Sequence, residues 1–122
     1  MRILVVDDEP LVAQTLGLIF GRNGFAVETV YNADQAMTAV RANPPDLVLC
    51  DIDMPGRDGV ALMGDLSLEL PHCPILVLTG FYSSLNRVRE YATTRTQRVS
   101  VVTKPCQPSD LLRTAGEMLR VA

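Results

Sequence analysis

Residues 3–10 read ILVVDDEP: four aliphatic side chains, Ile3 to Val6, run into three carboxylates, Asp7, Asp8 and Glu9, and then into Pro10. An unbroken apolar run of this length predicts a strand buried on both faces. Pro10 has a fixed φ and no N–H, which suits the first turn of a helix. The stretch therefore predicts a strand, a tight connection and a helix, the repeating unit of a parallel α/β sheet. It also poses an electrostatic question. At ~5 Å and an effective dielectric of ~20, two carboxylates repel by roughly 3 kcal/mol. A single Ser or Asp is enough to cap a helix. The extra acid calls for a cation.

The same alternation runs outward along the chain. A helix is predicted over roughly residues 10–22, with Val12, Leu16, Ile19 and Phe20 on one face and GRNG as its stop. FAVETV (25–30) alternates like a strand near a sheet edge, and Asn32 is placed to cap a helix carrying Ala33, Ala36, Met37 and Val40. DLVLCD (46–51) is a second fully apolar strand that ends in an acid, followed by the turn-rich loop IDMPGRDG and a helix over 59–70. PILVLTG (74–80) is another buried strand, 83–93 a weaker helix with Leu85, Val88 and Ala92 in register, and VSVVT (99–103) the last strand. Pro108, Ser109 and Asp110 open a final helix with Leu111, Ala115, Met118 and Leu119. Five strands alternating with five helices predict a doubly wound three-layer fold with right-handed crossovers.

Composition narrows the function. The chain has 122 residues, which fits one domain over 1–122, and 48% are apolar, enough for a packed core. The net charge of −3 argues against nucleic-acid binding by this domain. No apolar run spans a membrane, and the N-terminus lacks the form of a secretory signal, so a cytoplasmic location is expected. Cys50, Cys73 and Cys106 are odd in number and without metal-site spacing, which predicts reduced thiols, Cys50 as buried filler. The sole histidine, His72, lies in the Pro-flanked LPHCP and reads as a solvated turn residue. Lys104 is the only lysine among eleven basic residues, so its position asks for a specific explanation.

The unusual polar residues fall at the ends of the apolar strands: Asp7 and Asp8, Asp51, Thr79, then Thr103 and Lys104. In a parallel sheet these C-terminal ends share one edge, and open α/β sheets bind ligands there, near the point where strand order reverses. Asp7, Asp8 and Asp51 are thus expected to converge, with a hydroxyl and an ammonium beside them. Three carboxylates favour a hard cation, Mg²⁺ first. Thr79 and Lys104 would hold phosphoryl oxygens, and a carboxylate can itself be the nucleophile, giving an aspartyl phosphate. Taken singly, each feature has a plainer reading: a cap, a turn residue, a surface lysine. The acid density of DIDMPGRDG and the order of all four motifs at strand ends set those readings aside.

VVDDEP, DLVLCDIDMPGRDG, PILVLTG and VVTKP together resemble, in order, the motifs of the receiver domains of two-component response regulators, over essentially the whole chain. The resemblance implies a flavodoxin-like fold with strand order 2-1-3-4-5. It implies that Asp51 accepts a phosphoryl group from a phosphohistidine on a sensor histidine kinase or histidine phosphotransfer protein. Asp8, Asp51 and the backbone carbonyl of Asp53 would ligate Mg²⁺, for which Mn²⁺ can substitute, and Asp7 would hold it through water. Thr79 and Lys104 would bind the phosphoryl oxygens, and Lys104–Pro105 would be a cis peptide. A C-terminal output domain or a downstream protein would read the signal, and the domain would be no enzyme beyond its own phosphorylation and dephosphorylation.

The chain departs from the family pattern at Val101, often aromatic, at Gly80, often Ala, and in YATTRTQRVS before the last strand. These departures touch the readout, not the phosphorylation chemistry. Two alternatives stand beside the receiver: a pseudo-receiver that binds without being phosphorylated, and a haloacid-dehalogenase-like phosphatase. DIDM resembles the DxD of the latter. That family, however, has its DxD strand first and its acidic pair last, the reverse of the order here.

Overall fold

The computed structural model describes residues 1–52, 59–80, 98–104 and 106–120. Strands β1 (Arg2–Val6), β2 (Ala26–Val30), β3 (Leu47–Asp51), β4 (Ile75–Thr79) and β5 (Val99–Thr103) form one sheet in the order β2-β1-β3-β4-β5. All neighbours are parallel. The helices among the described residues are α1 (Pro10–Arg22), α2 (Ala33–Ala42), α3 (Gly59–Glu69) and α4 (Pro108–Arg120). The expected flavodoxin-like architecture is thus observed, and the helix expected over 83–93 lies outside the described residues.

Side-chain alternation sorts the strands between two cores. Ile3, Val5, Leu47, Leu49, Leu76 and Leu78 pack with Ala13, Leu16 and Phe20 of α1 and Leu111, Ala115 and Met118 of α4. Leu4, Val6, Val48, Cys50, Ile75 and Val77 pack on the other face with α2 and α3, through Ala36, Met37, Val40, Leu62, Met63 and Leu66. Both faces of β1, β3 and β4 are covered, which is why these strands read as continuous aliphatic runs. In β2, by contrast, exposed and covered residues alternate, as expected of an edge.

Local chemistry sets the helix ends. At α2, Asn32 Oδ1 accepts the Gln35 N–H at 2.8 Å, and Gln35 Oε1 reaches back to the Tyr31 N–H at 2.9 Å. α1 ends where Asn23 Nδ2 donates to the Ile19 carbonyl at 2.7 Å and Gly24 turns the chain with φ +92°. The start of α1 is different. Glu9 occupies the capping position without a side-chain cap, although Pro10 fills the first turn. No described helix is long and apolar enough to cross a membrane.

Candidate functional site

Strand register builds the site. Val6 pairs level with Cys50, so Asp7 stands beside Asp51 at the adjoining strand ends, where the sheet order reverses. Asp7 and Asp51 continue the alternations 3-5-7 and 47-49-51, so both leave the sheet on the same side. Carboxylate oxygens of Asp7, Asp8 and Asp51 lie within 4.8 Å of one another. From the next strand pair, Lys104 Nζ donates to Asp51 Oδ2 at 2.9 Å, from a side chain 36% exposed to one only 3% exposed. The lysine that sequence singled out thus contacts the carboxylate that sequence named as nucleophile. Thr79 is buried at the end of β4, and its carbonyl accepts the Lys104 N–H at 2.8 Å, fixing the backbone from which the lysine projects.

Asp7 is 1% exposed. Its N–H donates to the Val30 carbonyl at 3.1 Å, and its Oδ1 accepts the Glu9 N–H at 2.9 Å. Its Oδ2 is buried and has no hydrogen-bond partner among the described residues. Burial, helped by the charges of Asp51 and Asp8, outweighs the Glu9 hydrogen bond and the Lys104 charge, and pushes the Asp7 carboxyl up to about 6. A buried carboxylate oxygen without a donor is costly unless a cation takes it up. Among the described residues, the cluster offers only hard oxygen donors. Cys50 belongs to the opposite face of the sheet, its thiol pushed further up by burial and then by Asp51 and Asp7. His72 is exposed in the turn before β4, as sequence predicts. The residues present fit Mg²⁺ or Mn²⁺, and they do not fit a soft metal.

Of the residues singled out from sequence, Asp7, Asp8, Asp51 and Lys104 meet directly, and Thr79 joins them through its backbone. Asp53 and Pro105 lie outside the described residues, and with them the expected carbonyl ligand and the cis peptide. Val101 is half-buried against the α2–α3 core, and Gly80 is exposed, with Lys104 Cβ 3.9 Å from where a Cβ at Gly80 would stand. Among the described residues, an alanine there meets only ordinary contact. Sequence reading did not foresee the unmatched oxygen of Asp7 or the direct Lys104–Asp51 bond. Register, given the strand order, was the signal available for the second.

Comparison with known proteins agrees with this geometry. A family model described as "Response regulator receiver domain" matches residues 3–115. The DNA-binding response regulator MtrA of Mycolicibacterium smegmatis is 34% identical over 119 residues, covering 98% of this chain and 50% of that protein. The transcriptional regulatory protein AruR of Pseudomonas aeruginosa is 31% identical over 124 residues, covering 98% of this chain and 49% of that protein. The chain therefore spans about half the length of these curated relatives. The crystal structure of the receiver domain of NtrX from Brucella abortus superposes with a TM-score of 0.87 at 28% identity, covering 98% of this chain and 99% of that one.

Proposed function

This chain belongs to the response regulator receiver domains, and from that premise we propose that it takes a phosphoryl group from a partner's phosphohistidine onto Asp51 and signals by the resulting change. One observation carries the reading: three carboxylates within 4.8 Å of one another beside a lysine 2.9 Å from Asp51. A purely structural cluster would have no use for such a concentration of like charge.

In the proposed step an Asp51 carboxylate oxygen attacks phosphorus in line with the P–N bond of the phosphohistidine. The new O–P bond forms as P–N breaks. Its electron pair stays with the imidazole nitrogen, and the ring leaves neutral because its other nitrogen keeps a proton. The transferring group carries its charge on the equatorial oxygens, so positioning and neutralisation supply most of the catalysis. Lys104, now on Asp51 Oδ2, is within reach to pass its N–H donors to a phosphoryl oxygen. The Thr79 hydroxyl is proposed to bind a second. Asp8 and Asp51 would hold Mg²⁺ or Mn²⁺ directly, with the Asp53 carbonyl, and Asp7 would hold it through water. The cation would supply charge neutralisation for the phosphoryl oxygens. Hydrolysis would return Asp51 to the carboxylate, so the domain would act on itself alone.

The phosphodonor is proposed to be a sensor histidine kinase or a histidine phosphotransfer protein. The reader is proposed to be an output domain or a downstream protein. MtrA is a DNA-binding response regulator and AruR a transcriptional regulatory protein, which makes transcriptional control the first output to examine. A cytoplasmic setting belongs to the same proposal, since all three cysteines are free thiols. The test is covalent labelling by acetyl phosphate with Mg²⁺, read by intact-mass spectrometry. Wild type should gain one phosphoryl group and lose it with time, while Asp51→Asn should stay folded and unlabelled. A full phosphoryl shift on Asp51→Asn removes Asp51 from the role. A folded wild type that never labels makes the chain a binding module instead.

A further inference from the structure

Gly80 stands where the route from Lys104 to Asp51 crosses the sheet. Lys104 follows the end of β5, Asp51 ends β3, and β4 lies between those two strands. Neighbouring strands are about 4.8 Å apart. The lysine stem must therefore pass over the end of β4 for its Nζ to reach Asp51 Oδ2 at 2.9 Å. Thr79 pairs with Thr103, which puts Gly80 level with Lys104, while Asp51 pairs with Leu78. The alternations 47-49-51, 76-78-80 and 102-104 belong to one face of the sheet, since Leu49, Leu78 and Val102 share a core. A side chain at position 80 would stand beside the lysine stem, its Cβ 3.9 Å from Lys104 Cβ. The backbone does not ask for glycine there: among the described residues, Gly24 has a positive φ and Gly80 does not. What the glycine supplies is room.

We propose that Gly80 is a positioning residue for phosphoryl transfer, the space beside it letting Lys104 cross β4 to the reacting carboxylate. The chemistry rests on the receiver reading, but the geometry can be measured without any phosphoryl group. A methyl at position 80 meets ordinary contact, whereas the stiff, branched side chain of valine crowds the path of the stem. Lys104, already 36% exposed, would then turn away from Asp51 into solvent.

Lys104 is the only lysine, so lysine isotope labelling gives a single ammonium resonance. In the metal-free wild type, nuclear Overhauser contacts should join the Gly80 Hα protons to the Lys104 methylenes, and Asp51→Asn should shift the Nζ resonance. Gly80→Val should show that shifted resonance with Asp51 intact. Labelling by acetyl phosphate with Mg²⁺ should slow on the order of tenfold in Gly80→Val and in Lys104→Ala, less than the loss of a fully buried donor. Gly80→Val combined with Lys104→Ala should be no slower than Lys104→Ala alone, because both changes remove one interaction. Gly80→Ala should fall between wild type and Gly80→Val in both readouts. Three results would each overturn the proposal: no Gly80–Lys104 contacts in wild type, a wild-type Nζ resonance in Gly80→Val, or additive losses in the double variant. Additive losses would make position 80 a control on donor access instead. If Gly80→Val fails to fold, the wild-type contacts and the Gly80→Ala shift decide. A wild type that shows the contacts and never labels sinks the receiver reading and leaves the lysine geometry standing.

Discussion

Asp7 carries a buried carboxyl group with one oxygen bonded and the other without a donor among the described residues, and its titration should report this directly. Below the ordinary value of 3.8, folded and unfolded chains both hold its proton and the group costs nothing. Between there and about 6 the folded chain keeps the proton that the unfolded chain has released. Stability from Asp7 is therefore full at low pH and is lost as pH rises through that window. At neutral pH the metal-free penalty is on the order of 2–3 kcal/mol. Asp7→Asn should then be more stable than wild type in EDTA at pH 7, with the difference shrinking toward pH 4. Saturating Mg²⁺ should flatten the wild-type dependence. Urea midpoints across pH, with and without EDTA, measure this. An Asp7→Asn variant less stable than wild type in EDTA at pH 7 would refute the cost assigned to the unmatched oxygen. Sequence made the acids and the lone lysine legible, because neither has a cheap structural use at a strand tip. It could not show that Oδ1 bonds the nearby Glu9 N–H while Oδ2 is left buried, since the burial of Oδ2 depends on how segments far apart in sequence pack around it.

At the scale of the element, the two helices that follow β1 and β2 start differently for a physical reason. α2 has a reciprocal cap from Asn32 and Gln35, whereas α1 begins at Glu9 with no side-chain cap. The residues before α1 are committed to the acidic site: Asp7 Oδ1 reaches the Glu9 N–H, and Asp8 faces the other carboxylates. Asn32→Ala should cost about 1 kcal/mol by thermal or urea unfolding. Glu9→Ser should instead stabilise by a few tenths to about 1 kcal/mol and leave labelling of Asp51 unchanged. If Glu9→Ser destabilises, the start of α1 is already satisfied by other means. Element boundaries were readable here because period, proline, asparagine and glycine agree: the expected 10–22 and 99–103 match α1 and β5 to the residue. The start of α2 was legible from Asn32 alone, and its partner Gln35 was not, because glutamine has many uses on a helix surface.

The fold separates its stability from its chemistry along the sheet. Parallel strands send their C-terminal ends to one edge, which gathers the acids and Lys104 there, while the C-terminal end of α1 lies toward the opposite edge. There Phe20 is fully buried and meets Phe25 edge-to-face, with ring centroids 5.7 Å apart. Strand order was legible only through the family resemblance, since alternating elements alone allow several doubly wound orders. Given that order, the gathering of the site follows from topology. Phe20→Leu should lose the aromatic pair and some packing, about 1–2 kcal/mol, without touching the acids. Asp8→Asn should do the reverse, relieving like-charge repulsion in the metal-free protein and weakening the response to Mg²⁺. At ten times its dissociation constant, Mg²⁺ should stabilise wild type and Phe20→Leu alike by about 1.4 kcal/mol. Asp8→Asn should start higher in EDTA and gain clearly less at that same Mg²⁺ concentration. Urea unfolding of the three proteins with and without Mg²⁺, checked for equal slopes, separates the two effects. Should Phe20→Leu also lose the Mg²⁺ increment while keeping its slope, the two edges are energetically coupled through the sheet, and the site is not the independent assembly that its strand-end geometry implies.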